Sequence, residues 1–400
     1  MIEQREVFDM KVRRCVLGIC WLLSLILISI YGGTVSYGIF FGLTLVPVIS
    51  FLYILFVRIF YRIYQEIGSR NIVSGQSVPY YFVLKNESWF AFAGIKVFFF
   101  SDFSYVEELP EEIEYELLPG EQYKYETSFV CKYRGEYEVG IKEIVISDFW
   151  GLFSIKSAIR GAKKVIVAPK LIQLDELKSV MDISAMMQRD NLQTTELDAV
   201  TREYAAGDAL KQINWKATAR MQKLMSRKPV GEEKRGVALV FDTKRYDKKP
   251  TVYLPIENKI LEIVLALALF ISKNNIPVSF FYGQNNTQTG LRQGRLNSVG
   301  DMDGFYEQIK KVHFDQNADM RSDLQRVLQE GMLMDKAVVF FVLHEMSDDI
   351  LRVTYQLATN DTTVICYVVT DENIEEFYTM SDLGRRIIAI TPEDELEEVL

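Results

Sequence analysis

The chain has 400 residues, 49% hydrophobic, 12% aromatic and 25% charged, and its 54 Asp and Glu exceed its 45 Lys and Arg to leave a net charge of −9. That length predicts two or three domains, and with only 33 Gly and Pro residues the composition excludes low-complexity disorder. Of four cysteines, Cys15 and Cys20 lie in an apolar stretch and Cys131 and Cys366 are distant singletons, which excludes a disulfide framework and suits a reducing compartment. The only histidines, His313 and His344, stand 31 residues apart, so neither an imidazole metal centre nor any other cofactor is expected.

Charge is unevenly spread. Residues 202–235 carry nine Lys and Arg against four Asp and Glu, whereas 371–400 hold ten acidic residues against Arg385 and Arg386. Glu107, Glu108, Glu111, Glu112, Glu114 and Glu116 form a second acidic run, and both runs read as solvated faces. An acidic chain whose basic stretch lacks interleaved aromatics is not expected to bind nucleic acid.

From Cys15 to Val57 no residue is charged. The stretch divides at Tyr31-Gly32-Gly33-Thr34 into two spans near 14–31 and 38–57, each long enough to cross a hydrocarbon core of about 30 Å. A signal peptide is too short to match, and no Ala-x-Ala site follows. Lys11, Arg13 and Arg14 precede the first span and Arg58, Arg62 and Arg70 follow the second, while the turn has no charge. Positive charge stays inside, so both termini and the bulk of the chain are expected in the cytoplasm of a cell with a two-span membrane protein. Tyr31, Tyr37, Tyr53, Tyr61 and Tyr64 suit an interfacial aromatic belt.

After a membrane hairpin at 1–67, residues 68–170 read as short aromatic and β-branched strands between turn signals such as Pro119-Gly120 and Arg134-Gly135. The strands begin at Val78, Gly94, Tyr123, Gly135 and Glu143, a pattern predicting an all-β immunoglobulin-like sandwich. Residues 171–235 form a connector. From 236 to 400 buried strands alternate with helices near 257–273, 301–312, 321–333, 347–358 and 371–380, which predicts a doubly wound α/β domain. Ligands of such a sheet bind at the carboxyl ends of its strands, here Asp242, His344 and Thr370.

Phosphate-loop, dinucleotide-binding and nucleophile-elbow motifs are absent, and neither Cys131 nor Cys366 is well placed for Cys–His catalysis. The densest signal is the segment from Thr201 to Arg220. Gly207 suits a positive φ and Asp208 caps a helix from Ala209, with Ile213, Ala217 and, as one option, Trp215 turned inward. Lys211, Lys216, Arg220 and Lys223 then leave a basic surface. The segment reads either as a connector helix docked on the α/β domain or as a surface for an acidic partner.

Its series Arg202-Glu203-Tyr204, Gly207-Asp208, Ile213-x-Trp215 and Ala219-Arg220 resembles the bacterial "domain of unknown function 58" family. Arg134-Gly135-x-Tyr137-x-x-Gly140, the Asp148-Phe149-Trp150-Gly151-Leu152-Phe153 run, and Val165 to Pro169, read as a hinge closing the sandwich, are similar to further family features. The resemblance implies a von Willebrand factor A-like α/β domain and association with MoxR-type AAA+ ATPases, sometimes also with transglutaminase-like membrane proteins. It departs at Lys211 and Gln212, where the family more often has arginine. Such a domain usually binds a divalent cation through Asp-x-Ser-x-Ser after its first strand. Here the run is Asp242-Thr243-Lys244-Arg245-Tyr246, a degenerate site expected to hold no metal.

The expected function is a non-enzymatic, membrane-anchored adaptor with a cytosolic interaction module, working with a MoxR-type ATPase and envelope proteins. Gly207, Asp208 and Trp215 would shape its partner-binding segment; Arg202, Glu203, Tyr204, Lys211 and Arg220 would make contacts. The alternatives are a metal-dependent ligand-binding module, and a hydrolase or transglutaminase-like enzyme using Asp242, Glu203 or Cys366.

Overall fold

The computed structural model describes residues 2–69, 71–110, 112–158, 163–177, 199–203, 215–229, 236–283, 291–318, 320–333, 336–359, 362–370 and 385–400. The chain divides into two compact units, Met1–Lys170 and Leu171–Leu400.

The first unit opens with two apolar helices, α1 (Ile2–Tyr31) and α2 (Thr34–Phe60), each long and apolar enough to cross a membrane. Gly32, at φ +54°, makes the turn, and its N–H returns to the Ile28 carbonyl. Across the pair, Trp21 donates its indole N–H to the Thr44 hydroxyl at 3.0 Å and packs beside Phe40. The second helix starts at Thr34 rather than 38, because Gly32 and Gly33 suffice for the turn. It also runs beyond 57 to Phe60, and β1 (Tyr61–Ile67) follows with no residue between. Tyr61, which caps α2, and Tyr64 are therefore strand residues.

Ten further strands follow among the described residues of the unit: β2 (Ile72–Val73), β3 (Ser77–Asn86), β4 (Phe92–Phe99), β5 (Ser104–Val106), β6 (Glu112–Leu117), β7 (Gln122–Cys131), β8 (Gly135–Val139), β9 (Ile141–Ser147), β10 (Ser154–Ala158) and β11 (Lys163–Ala168). They form sheets of order β1-β3-β7-β5, β10-β9-β4-β6 and β2-β11-β8. Period-two burial builds the core: Val78, Tyr80, Phe82 and Leu84 of β3 meet Ile95, Val97 and Phe99 of β4 in one apolar cluster. Ile54 and Val57 of α2 belong to that same cluster and are fully buried. Burial raises the Cys131 thiol to about 11.

One strand is added to those expected, and one reading changes. The acidic run includes a strand, β6, whose Tyr115 and Leu117 point inward while Glu114 and Glu116 stay exposed. Val165 to Ala168 is no hinge but part of β11, paired to β8 and β2.

In the second unit β12 (Ala199–Glu203) pairs with β13 (Met225–Pro229), with α3 (Trp215–Met221) between them in sequence. A sheet follows, built from β14 (Val237–Phe241), β15 (Val278–Gly283), β16 (Leu291–Leu296), β17 (Val338–Leu343), β18 (Thr363–Val369) and β19 (Arg385–Ile390). Its order is β16-β15-β14-β17-β18-β19, with β16 alone antiparallel among the described strands. Counted along the chain this is 3-2-1-4-5-6, the doubly wound arrangement whose order reverses between β14 and β17.

Helices α4 (Pro250–Lys273), α5 (Met302–Lys310), α6 (Met320–Gln329), α7 (Asp348–Thr359) and α8 (Leu396–Val399) cover it. Alternate residues feed separate cores: Val237, Leu239 and Phe241 pack with α4 and α5, Ala238 and Val240 with α6 and α7. Near-continuous apolar strands follow from burial on both faces. The helix expected from 257 starts seven residues earlier, since Pro250 takes the first helical position, where an N–H is unpaired anyway. The helix expected near 371–380 lies outside the described residues.

Candidate functional site

Every residue of β14 is apolar and buried, and the strand ends on Asp242, 1% exposed, at the point where the strand order reverses. Asp242 donates its N–H to the Val342 carbonyl at 3.0 Å, so its backbone extends the ladder to β17. Both carboxylate oxygens are engaged within the loop: Oδ1 accepts the Lys244 N–H at 2.8 Å and Oδ2 accepts the Tyr246 hydroxyl at 2.7 Å. Tyr246 meets the His344 ring edge-on at 4.7 Å, and the Lys244 ammonium lies 4.9 Å from the centre of the Tyr246 ring.

His344, after β17, has Nδ1 2.7 Å from the Val369 carbonyl; that acceptor requires the proton on Nδ1. Thr243 donates its hydroxyl to the Gly283 carbonyl at 2.8 Å. Arg245 forks onto Glu257 at 2.6 and 3.1 Å and lies 3.9 Å over the Tyr253 ring, while its N–H reaches the Asp315 carbonyl. The loop is thus pinned from β15, β17 and α4 together.

Burial raises the Asp242 carboxyl above the usual carboxylate range, against the Tyr246 hydroxyl and Lys244 N–H, which lower it. Burial and the same carboxylate push the Tyr246 hydroxyl far up. The space beside the loop, between Lys244, Tyr246, Tyr253, Glu257 and His344, is about 30 Å³, the size of one water. These residues do not fit a divalent cation. The carboxylate is satisfied by donors, and the Lys244 ammonium beside Tyr246 would repel a cation. Among the described residues no three His, Cys, Asp or Glu side chains converge to hold a metal ion.

Cys366 is buried in β18, its thiol pushed up to about 12 by desolvation, the reverse of what a nucleophile needs. Thr370, also buried, spends its N–H on the Ile390 carbonyl. The Arg245–Glu257 pair was not legible beforehand, because it depends on the early start of α4.

The signature segment is seen in part. Arg202 and Glu203 end β12, opposite Ser226 and Met225. Tyr204, Gly207, Asp208 and Lys211 lie outside the described residues, as does Ile213. Thr218 on α3 accepts the Met225 N–H at 3.0 Å, which ties the helix to β13. Ala217 and Thr218 form its half-buried side, so Trp215 cannot also face inward, and it is 70% exposed. Lys216, Arg220 and Lys223 are exposed with it.

Residues 200–381 are similar to the family described as "Protein of unknown function DUF58". No curated protein matches the chain significantly. Among solved structures, the FixG-related protein from Vibrio parahaemolyticus is 13% identical over 27% of this chain and 95% of its own, with a TM-score of 0.19. The CARDB domain of the PF1109 protein from Pyrococcus furiosus is 15% identical over 27% and 90%, with a TM-score of 0.18. A GH20 exo-β-N-acetylglucosaminidase from Vibrio harveyi is 9% identical over 82% and 81%, also at 0.18. Likenesses this low carry no argument about fold or function.

Proposed function

We propose that this protein is a non-enzymatic, membrane-anchored adaptor. Its helix pair spans the cell membrane, and the β-rich part of the first unit and the whole second unit face the cytoplasm. That β-rich part is an immunoglobulin-like sandwich and the second unit a degenerate von Willebrand factor A-like domain. Through the 202–220 segment it engages a MoxR-type AAA+ ATPase and connects it to envelope proteins.

The observation that carries this reading is the contrast between two parts of the second unit. The strand ends where an α/β fold places its ligands are filled by Tyr246 and its neighbours, whereas Trp215 stands exposed beside Lys216 and Arg220. An exposed tryptophan among cations is the composition of an interface anchor, and the positive surface suits an acidic partner.

Other details agree with it. Tyr137 returns its hydroxyl to the Tyr133 carbonyl at 2.7 Å, a link found at the corners of immunoglobulin-like sandwiches. Arg13 and Arg14 donate to the Trp150 and Leu152 carbonyls, so the cations that mark the cytoplasmic side touch the β-rich unit itself.

The test is a mild-detergent pull-down of the full chain with and without a slowly hydrolysed ATP analogue, read by mass spectrometry. A MoxR-type ATPase enriched with nucleotide, and lost with Arg220→Glu or Asp208→Ala while membrane insertion persists, is the expected result. Capture undiminished in both variants would remove the segment from the interface, and no ATPase at all would remove the adaptor role.

A further inference from the structure

The β-rich unit does not stand off from the helix pair on a linker. Strand β1 starts at the residue after α2 ends, and Ile54 and Val57 of α2 lie within the sheets' own core. Higher on α2, the Tyr53 hydroxyl donates to the Ala91 carbonyl at 3.2 Å and accepts the Ala93 N–H at 3.0 Å. Ser50 donates to the buried Asp148 carboxylate at 2.9 Å. On α1, Arg13 donates to the Trp150 carbonyl and Arg14 to the Leu152 carbonyl. Gly151, at φ +64°, allows this approach, since a Cβ there would collide with the Arg13 guanidinium. Two loops, 88–91 and 148–153, are therefore fixed against the last turns of α2.

Both loops hold large aromatic rings outward. Trp89 is 77% exposed and Phe90 48%, packed edge-on against Phe56; Phe149 is 79% exposed and Trp150 44%. Two of the chain's four tryptophans are placed here. The side of α2 turned away from the sheets also presents Leu52, Leu55 and Ile59. The 27 residues of α2 measure roughly 40 Å, against about 40–45 Å for a bilayer with its headgroup layers. A helix of that length reaches the far headgroup layer, and Ser50 and Tyr53, which hold the two loops, lie about 10–15 Å before its end, at the inner side of that layer.

We infer that loops 88–91 and 148–153 are seated in the headgroup layer of the bilayer, holding the β-rich unit down on the membrane through Trp89, Phe90, Phe149 and Trp150. This rests on the reading that α1 and α2 span the membrane. The occupant is lipid and not a protein because the loops are bonded to the spanning helices themselves. Indole rings prefer that layer, where one edge is apolar and the other wet.

The four tryptophans allow one experiment to separate the two ideas. The full chain is reconstituted into phosphatidylcholine–phosphatidylglycerol vesicles brominated at shallow or at deep acyl positions. Single-tryptophan variants, the others changed to Phe, report on Trp21, Trp89, Trp150 and Trp215 in turn. Trp21, within α1, should be quenched by deep bromines. Trp89 and Trp150 should be quenched by shallow bromines about twofold more than Trp215. Since Trp21→Phe removes the bond to Thr44, a W89F/W150F chain that keeps Trp21 provides a second reading: it should lose the shallow-quenched component and retain the deep one. Trp89 and Trp150 no more quenched than Trp215, with Trp21 quenched, overturns the inference and leaves the spanning helices in place; that result is also expected if a protein covers these rings. An unquenched Trp21 overturns both.

Discussion

Asp148 and Asp242 each follow a strand, β9 and β14, and each accepts the backbone N–H two residues on, from Trp150 at 3.1 Å and Lys244 at 2.8 Å. Their other partners differ. Asp148 also takes the Phe153 N–H and the hydroxyl of Ser50, 98 residues earlier on α2, whereas Asp242 takes the hydroxyl of Tyr246, four residues later. The same local turn serves one unit as a clip between distant elements and the other as a self-contained plug. A buried carboxylate at a strand end is thus not by itself a sign of chemistry. What decides is whether its oxygens are still available.

The contrast is broken most severely by Asp148→Ala, which strands three donors at once. It should cost about 3 kcal/mol, read as a lower unfolding temperature of the detergent-solubilised chain, and Ser50→Ala should cost about 1 kcal/mol because two donors remain paired. Equal losses would mean that the helix contact alone, not the loop, is what Asp148 stabilises.

Asp242→Asn should act less through contacts, at about 1 kcal/mol, and more through pH. The folded state raises this carboxyl, so it binds the proton more tightly than the unfolded chain does. Its ionised form therefore costs stability above the raised value, and the cost fades as pH falls toward the ordinary carboxylate value of about 4. Removing the titration makes the variant gain on the parent between acid and neutral pH in guanidinium unfolding. A difference that stays flat with pH would show an ordinary carboxylate.

Trp215→Ala should barely move stability, within about 0.5 kcal/mol, while reducing capture of the ATPase. Destabilisation beyond that would place the ring against the chain rather than a partner.

Much of the architecture is legible in hydrophobic periodicity. The uncharged run from Cys15 to Val57 marks the helix pair, and apolar stretches such as 338–343 mark strands covered on both faces. Charge hides the rest. In β6 the outward glutamates obscure an alternation whose inward members are Tyr115 and Leu117. In β1, Arg62 and Glu66 look like the polar flank of a spanning helix, yet Ile63 and Ile67 face the sheet interior. At the candidate site Asp242 stands out at the end of its strand. Its closure by Tyr246 and His344 could not be read, because His344 comes from a strand about a hundred positions on and only the fold brings it near.

The junction of Phe60 and Tyr61 has a mechanical consequence. A helix that passes into a sheet without an intervening residue, and whose side chains share that sheet's core, leaves no swivel at the join. A rotation or tilt of α2 must turn β1 and its partners through the same angle. The β-rich part is accordingly geared to the helix pair, so that a tilt of α2 is carried into β1 and the core they share.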